Sequence, residues 1–155
     1  MLKKHQVAPS FESQNQDNQP VTLSQFKGQK NVVLYFYPKD DTPGCTIEAN
    51  EFTVLASEFA AADSVVIGVS KDSCASHQAF IDKFGLKVDL LADTTGKVCS
   101  DYGVWQEKEK NGVKNMGIVR STFVINKAGI LEAALYGVSP DGHAQAMLDL
   151  VKTLD

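Results

Sequence analysis

The hydrophobic pattern begins quietly. Residues 1–31 are polar and rich in Gln and Asn, with small apolar clusters only at Val7-Ala8 and Phe11. Asn18-Gln19-Pro20 is a turn signal. It predicts a peripheral β-hairpin with short extended pieces at about 10–14 and 20–23, then a turn around Ser24–Gly28. Val32-Val-Leu-Tyr-Phe-Tyr37 changes the pattern abruptly. This run is β-branched and aromatic, and too short for a buried helix. It predicts a strand covered on both faces. Pro38 ends the strand because it has no N–H for a ladder, and Thr42-Pro43-Gly44 is turn chemistry. Cys45, Ala49, Phe52, Leu55 or Ala56, and Phe59 then fall at helical spacing, so a helix begins near Cys45.

The alternation continues after a break at Asp63-Ser64. Val65–Ser70 reads as a second buried strand. A helix capped by Ser73 runs to Phe84 and stops at Gly85, with Phe80, Ile81 and Phe84 on its apolar face. Val88–Ala92 is a third strand. Asp93 or Thr94 caps a short helix that carries Val98, Cys99 and Tyr102 and ends at Gly103. Trp105–Gly117 is polar and charged and reads as a surface excursion or irregular hairpin. Ile118–Asn126 and Ile130–Gly137 form a strand pair turned by Lys127-Ala128-Gly129. Ser139-Pro140 has the form of an N-cap followed by a first helical position. The helix it opens buries Ala144, Met147, Leu148, Val151 and Leu154. Repeated strand–helix units followed by a hairpin and a helix predict an α/β sandwich with a mixed sheet, built as one domain over residues 1–155.

Composition narrows the function classes. Hydrophobic content of 43% and charged content of 22% are those of an ordinary globule, and the net charge of −4 leaves no basic footprint for nucleic acid. The longest apolar run is far below the roughly 18 residues that span a bilayer, so no membrane partner is expected. Met1-Leu-Lys-Lys-His-Gln6 has no apolar segment of a secretory signal, and the expected location is the cytoplasm. The three cysteines, Cys45, Cys74 and Cys99, include no Cys-x-x-Cys. An odd number without a signal peptide fits catalytic or structural thiols in a reducing compartment. His5, His77 and His143 share no metal-ligand spacing with them, and no Gly-rich phosphate loop occurs, so neither a metal nor another cofactor is expected.

Cys45 carries the candidate chemistry. It falls in the first turn of a helix leaving a central strand, where free N–H groups and the positive dipole end favour thiolate. A thiol on an apolar stripe is equally a small buried hydrophobe, so its position alone leaves both readings open. Energetics sharpen the question. A free thiol is only about 3% thiolate at neutral pH. A helix terminus supplies roughly 0.3–1 kcal/mol, up to about 2 in a favourable site, which is about one pKa unit. Asp40 and Asp41 would oppose it if close. A strongly activated Cys45 therefore needs a cation from elsewhere, and Arg120, ahead of Ser121-Thr-Phe-Val-Ile125, is the candidate, with Lys39 as an alternative.

Pro38-x-x-x-Thr42-x-x-Cys45 resembles the active-site signature of peroxiredoxins. The longer run Asp41-Thr-Pro-Gly-Cys-Thr46 looks like the branch named after bacterioferritin-comigratory protein, the Q type. Arg120-Ser-Thr-Phe123 is similar to the family's arginine motif, and the likeness extends over nearly the whole chain. The resemblance implies a thioredoxin-like sandwich and a thiol-dependent peroxidase that reduces hydrogen peroxide and organic hydroperoxides. Cys45 would be the peroxidatic cysteine and pass through a sulfenic acid. Thr42 would bond the peroxide and the thiolate, Pro38 would shield the sulfur from water, and Arg120 would hold the developing negative charge. Thioredoxin or a similar thiol would be the reductant, and the protein would be a monomer.

How the sulfenic acid is resolved stays open. Many members of this branch carry a second cysteine five residues after the first, where this chain has Asn50. Others carry one on the next helix, where the stretch around Phe80-Ile81 has none. Cys74 lies two turns earlier on that helix and follows the strand expected beside that of Cys45. It is the candidate resolving cysteine, provided some local unwinding brings the backbones within about 7 Å. Cys99, packed with Val98 and Tyr102, is a weaker candidate and reads as inert. A one-cysteine cycle closed by an external thiol is the alternative. Two other functions compete. A cysteine phosphatase would need an arginine six residues after Cys45, where Glu51 stands, and a non-enzymatic thioredoxin-like module would not need Thr42 and Arg120 beside the thiol.

Overall fold

The computed structural model describes residues 1–154. Its centre is the apolar run read above. Strand β3, Asn31–Phe36, is buried at every position. It pairs in parallel with β4, Ser64–Ser70, from Asn31↔Ser64 to Phe36↔Val69. On its other side it pairs antiparallel with β8, Ser121–Ile125, from Val32↔Ile125 to Phe36↔Ser121. With both ladders satisfied and both faces covered, the run has no polar periodicity to show. Strand β5, Asp89–Ala92, continues the parallel set beside β4, and β9, Leu131–Tyr136, closes the other edge against β8. The predicted N-terminal hairpin is present as β1, Glu12–Gln14, and β2, Pro20–Thr22. It extends the sheet beyond β5, giving seven strands in the order β2-β1-β5-β4-β3-β8-β9.

Alternate side chains of β3 feed two apolar layers. Val32, Leu34 and Phe36 pack with Ile67, Phe123 and Tyr102 on one face. That face is covered by the short helix α4, Lys97–Asp101, through Val98 and Cys99. Val33, Tyr35 and Tyr37 face the helical layer: α1, Pro43–Val54; α2, Ala56–Ala61; α3, Cys74–Phe84; and α5, His143–Val151. Tyr35 stacks on Phe52 of α1 at 4.8 Å between ring centroids. Its ring also explains Gly68 on the neighbouring strand. A Cβ there would lie 2.7 Å from Tyr35 Cζ and 2.8 Å from Leu90 Cδ2.

Three elements depart from the sequence reading. The expected strand Ile118–Asn126 is broken at Val119-Arg120. Its first part belongs to β7, Val113–Ile118, which pairs with β6, Trp105–Lys110, in a separate regular hairpin. The Asn111-Gly112 turn of that hairpin has φ of 53° and 78°, the two left-handed residues a tight hairpin requires. The helix after Cys45 is interrupted at Leu55, where α2 begins a new segment. The last helix starts at His143 rather than at Ser139-Pro140. Gly142, at φ 73°, turns the chain immediately before it and so displaces the start past the Ser-Pro signal.

Gly68→Ala forces an extra methyl into a closed aromatic layer. The expected loss is about 1–3 kcal/mol of stability, read as a lower urea midpoint with an unchanged slope.

Candidate active site

The site begins where β3 ends. Pro38 leaves the sheet and is exposed, and the chain runs through Lys39–Asp41 into α1. Thr42 is the extended N-cap residue, Pro43 takes the first helical position, and Cys45 follows in the first turn. The Thr42 hydroxyl donates to the Lys39 carbonyl at 2.9 Å, not to the Cys45 sulfur, which leaves its lone pairs available as acceptors. Cys45 faces the aromatic layer and is 2% exposed.

Arg120, the cation expected at the thiol, lies against it. Because β7 and β8 separate at Val119-Arg120, the guanidinium leaves the sheet and turns toward α1. Its Nη2 donates to Cys45 Sγ at 3.4 Å and its Nη1 to Glu48 Oε1 at 2.7 Å. Glycine makes the approach possible: a Cβ on Gly44 would lie 3.1 Å from Arg120 Nη2. It would also lie 3.6 Å from Pro140 Cγ, so the Ser-Pro segment that does not start α5 forms a wall of the site instead. The backbone N–H of Gly142 donates to Glu51 Oε1 at 2.9 Å and ties that wall to α1. The two acids near the thiol are occupied elsewhere. Asp41 pairs with Lys83 and Asp40 bonds His77, each at 2.7 Å.

Glu48 is the residue the sequence did not reveal. A glutamate three residues after the cysteine carries no local signal of burial. In the structure it is fully buried, with Oε2 lacking a hydrogen-bond partner. Burial pushes its carboxyl up, against the pull of Arg120 and with a smaller push from Glu51, to about 7. Burial also works against the Arg120 charge, but Glu48 and Cys45 outweigh it and hold the guanidinium protonated, above its usual range. His143, missed likewise, is buried with Nε2 2.7 Å from Thr122 Oγ1. Burial and then Arg120 push its imidazole down, so it stays neutral beside the site.

The other thiols lie apart from this constellation. Cys74 opens α3 and is partly exposed, with its Sγ 3.7 Å from Asn18 Oδ1 in the N-terminal hairpin turn. It therefore faces toward β1 and β2, while Cys45 faces Arg120 on the β8 side of the sheet. Cys99 is buried, and burial followed by the neighbouring Asp93 drives its thiol upward, which disfavours the thiolate. Asp40, Asp72 and His77 bring one ligand atom each within 4.8 Å of one another, a spacing that a metal ion could use. Their atoms are bonded to one another and to Ser70, Ser76 and the Leu91 carbonyl, so the cluster is a closed hydrogen-bond network.

A thiol at the start of a helix leaving a central strand, held by a buried guanidinium, defines a cysteine-based redox site. The chain belongs to the AhpC/TSA family, which it matches over residues 5–134. Within that family it is a peroxiredoxin of the Bcp, or Q, branch and a thiol-dependent peroxidase. It is 46% identical to the putative peroxiredoxin bcp of Helicobacter pylori strain J99, over 96% of this chain and 97% of that protein. It is 42% identical to peroxiredoxin Bcp of Bacillus subtilis strain 168, over 96% and 94% of the two chains. A solved structure of Xanthomonas campestris peroxiredoxin Q superposes with a TM-score of 0.87 at 37% identity, covering 92% of this chain and 90% of that one. The expected thioredoxin-like sandwich with a central mixed sheet is thereby established. Among the described residues, no helix is long and apolar enough to cross a membrane.

Glu48 sets a pH dependence of stability with a definite sign. Its folded value, about 7, lies above the ordinary 4.5, so the folded state binds the extra proton. Stability therefore falls as pH rises from about 4.5 to 7 and levels off above, by an amount on the order of 3 kcal/mol. Thermal melts of Glu48→Gln between pH 5 and pH 8 are expected to lose this slope.

Proposed function

We propose that Cys45 is the peroxidatic cysteine and that Thr42, Arg120 and Pro38 complete its site. The observation that carries this reading is the 3.4 Å contact between Arg120 Nη2 and Cys45 Sγ at the start of α1. The thiolate sulfur attacks the outer oxygen of a hydroperoxide. An S–O bond forms as the O–O bond breaks, sulfur gives up two electrons, and the leaving oxygen takes a proton and departs as water or alcohol. Arg120 stabilises the thiolate and then the charge that grows on the peroxide oxygens. The Thr42 hydroxyl, with its proton on the Lys39 carbonyl, accepts a hydrogen bond from the peroxide O–H. Pro38 ends β3 and gives the entrance a side without a competing N–H donor. Hydrogen peroxide and organic hydroperoxides are both substrates in this reading. A structure of the X. campestris bacterioferritin comigratory protein, 36% identical, was described for alkyl peroxide reduction, which supports the organic class.

Cys74 is the proposed resolving cysteine, with thioredoxin as the reductant of the resulting disulfide, in a monomer that works in the cytoplasm. Its partial exposure at the start of α3 supports this, because an accessible sulfur can be reached first by the sulfenic acid and then, as a disulfide, by the attacking reductant. The contact of Cys74 with Asn18 favours a second reading, in which an external thiol reduces the Cys45 sulfenic acid directly. Under the first reading α1 or α3 must open locally before the sulfurs meet.

Cys45→Ser is expected to abolish peroxide consumption with dithiothreitol as reductant, while Arg120→Met slows it by roughly a hundredfold and also slows iodoacetamide alkylation of Cys45 at neutral pH. Peroxide reduction by Cys45→Ser at a tenth or more of the parent rate would remove Cys45 from its role. The route of resolution is read by intact mass after one equivalent of peroxide. The parent is expected to form a Cys45–Cys74 disulfide, and Cys74→Ser to stop at sulfenic acid and proceed to sulfinic acid. Full thioredoxin-dependent turnover by Cys74→Ser would establish the one-cysteine cycle.

A further inference from the structure

The loop that delivers Thr42 and Cys45 to the site has one inward anchor. Pro38, Lys39 and Asp41 are exposed and Thr42 is half-buried, whereas Asp40 is 7% exposed. Its carboxylate is fully engaged: Oδ1 accepts from Tyr37 Oη at 2.5 Å, and Oδ2 from Ser76 Oγ at 2.8 Å, with His77 Nδ1 at 2.7 Å. The Asp40 backbone N–H donates to Asp72 Oδ2 at 2.8 Å. His77, fully buried, is fixed on its far side by Nε2 at 2.9 Å from the Leu91 carbonyl of β5. Burial raises the Asp40 carboxyl, but the bonds from His77, Tyr37 and Ser76 outweigh it and hold it below its ordinary range. Two residues on, Thr42 depends on the same loop, because its hydroxyl is oriented by the Lys39 carbonyl.

We propose that Asp40, His77 and Tyr37 are positioning residues for the peroxide step, fastening the Pro38–Thr42 loop to α3 and β5 so that the Thr42 hydroxyl is aimed over the Cys45 sulfur. None of the three touches the thiol or Arg120 by a hydrogen bond. Their action separates from that of Arg120 in a way that can be measured. Thiolate formation depends on the guanidinium, whereas peroxide attack depends in addition on where Thr42 holds the O–O bond. Loss of the anchor displaces the second without the first. The inference rests on the peroxidase reading of Cys45.

The test uses two variants and two reactions of the same sulfur. Asp40→Asn combined with His77→Gln replaces both polar partners with neutral amides of similar size, and the alkylation rate reads any change of field at Cys45. Tyr37→Phe removes a single hydroxyl and keeps the ring in its layer. For each, the second-order rate of Cys45 oxidation by peroxide is measured by stopped flow and the rate of alkylation by iodoacetamide is measured at the same pH. The double variant is expected to lose about tenfold or more in the peroxide rate, and Tyr37→Phe several-fold, while alkylation stays near the parent rate. Parent-like peroxide rates in either folded variant would overturn the proposal. So would equal slowing of both reactions, which assigns the network to general stability. Should the double variant fail to fold, Tyr37→Phe alone decides. A parent protein that alkylates at Cys45 but shows no peroxide oxidation there would refute the peroxidase reading instead, which keeps the two failures apart.

Discussion

A guanidinium buried to 15% side-chain exposure must be given negative partners, and that constraint shapes the functional end of this molecule. Arg120 finds two partners, Glu48 and the Cys45 sulfur, both on the first turns of α1. Arg120 stands between the end of β7 at Ile118 and the start of β8 at Ser121, and its side chain reaches α1 from there. It also passes close to α1, where a Cβ on Gly44 would lie 3.1 Å from its Nη2. The arginine is therefore both the electrostatic partner of the thiol and the tie between α1 and the antiparallel half of the sheet.

The polar groups of the site all sit in one layer. Glu48, His143, Thr122, Asp40 and His77 are buried on the face of β3 that carries Tyr35 and Tyr37, under α1, α3 and α5. The opposite face, packed around Leu34, Phe36 and Phe123, is apolar by comparison. Charges in the polar layer are paired, and Asp40 with His77 and Glu48 with Arg120 are held at 2.7 Å. The Glu48 pair is incompletely satisfied, with Oε2 left without a partner, and burial accordingly outweighs the arginine in setting its protonation. That is the cost of keeping the Arg120 charge shared between a carboxylate and a thiol rather than neutralised by the carboxylate alone.

Much of this was readable in one dimension because it depends on local rules. The six-residue apolar run could only be a strand covered on both faces, and it is. Ser73 caps α3 through its side chain, which accepts from Ser76 N, and Gly85 ends that helix in the left-handed conformation, as their positions foretold. The need for a cation at Cys45 followed from the small size of the helix-terminus effect, before any geometry was known. Local rules failed where two signals competed. Ser139-Pro140 is a good helix start, but Asp141-Gly142 adds a turn that resets the chain direction. The polar stretch after Trp105 gave no strand periodicity because both faces of that hairpin are largely exposed, so its order comes from its turn and ladder.

The amino-acid sequence by itself determined the strand–helix alternation, the place of Cys45 at a helix start, and the motif that ties it to Thr42 and Arg120. The first two follow from side-chain period and turn chemistry, properties of neighbouring residues; the third rests on the resemblance to the peroxiredoxin signatures, since Cys45 and Arg120 stand 75 positions apart. Only the tertiary structure decided that Glu48 is buried against Arg120, that Asp40 and His77 anchor the loop before the thiol, and that Cys74 faces the N-terminal hairpin rather than Cys45. Those contacts join residues 37 to 72 positions apart, or 56 in the case of Cys74 and Asn18. Their partners are chosen by the order of strands in the sheet, and that order is a property of the folded chain rather than of any stretch of it.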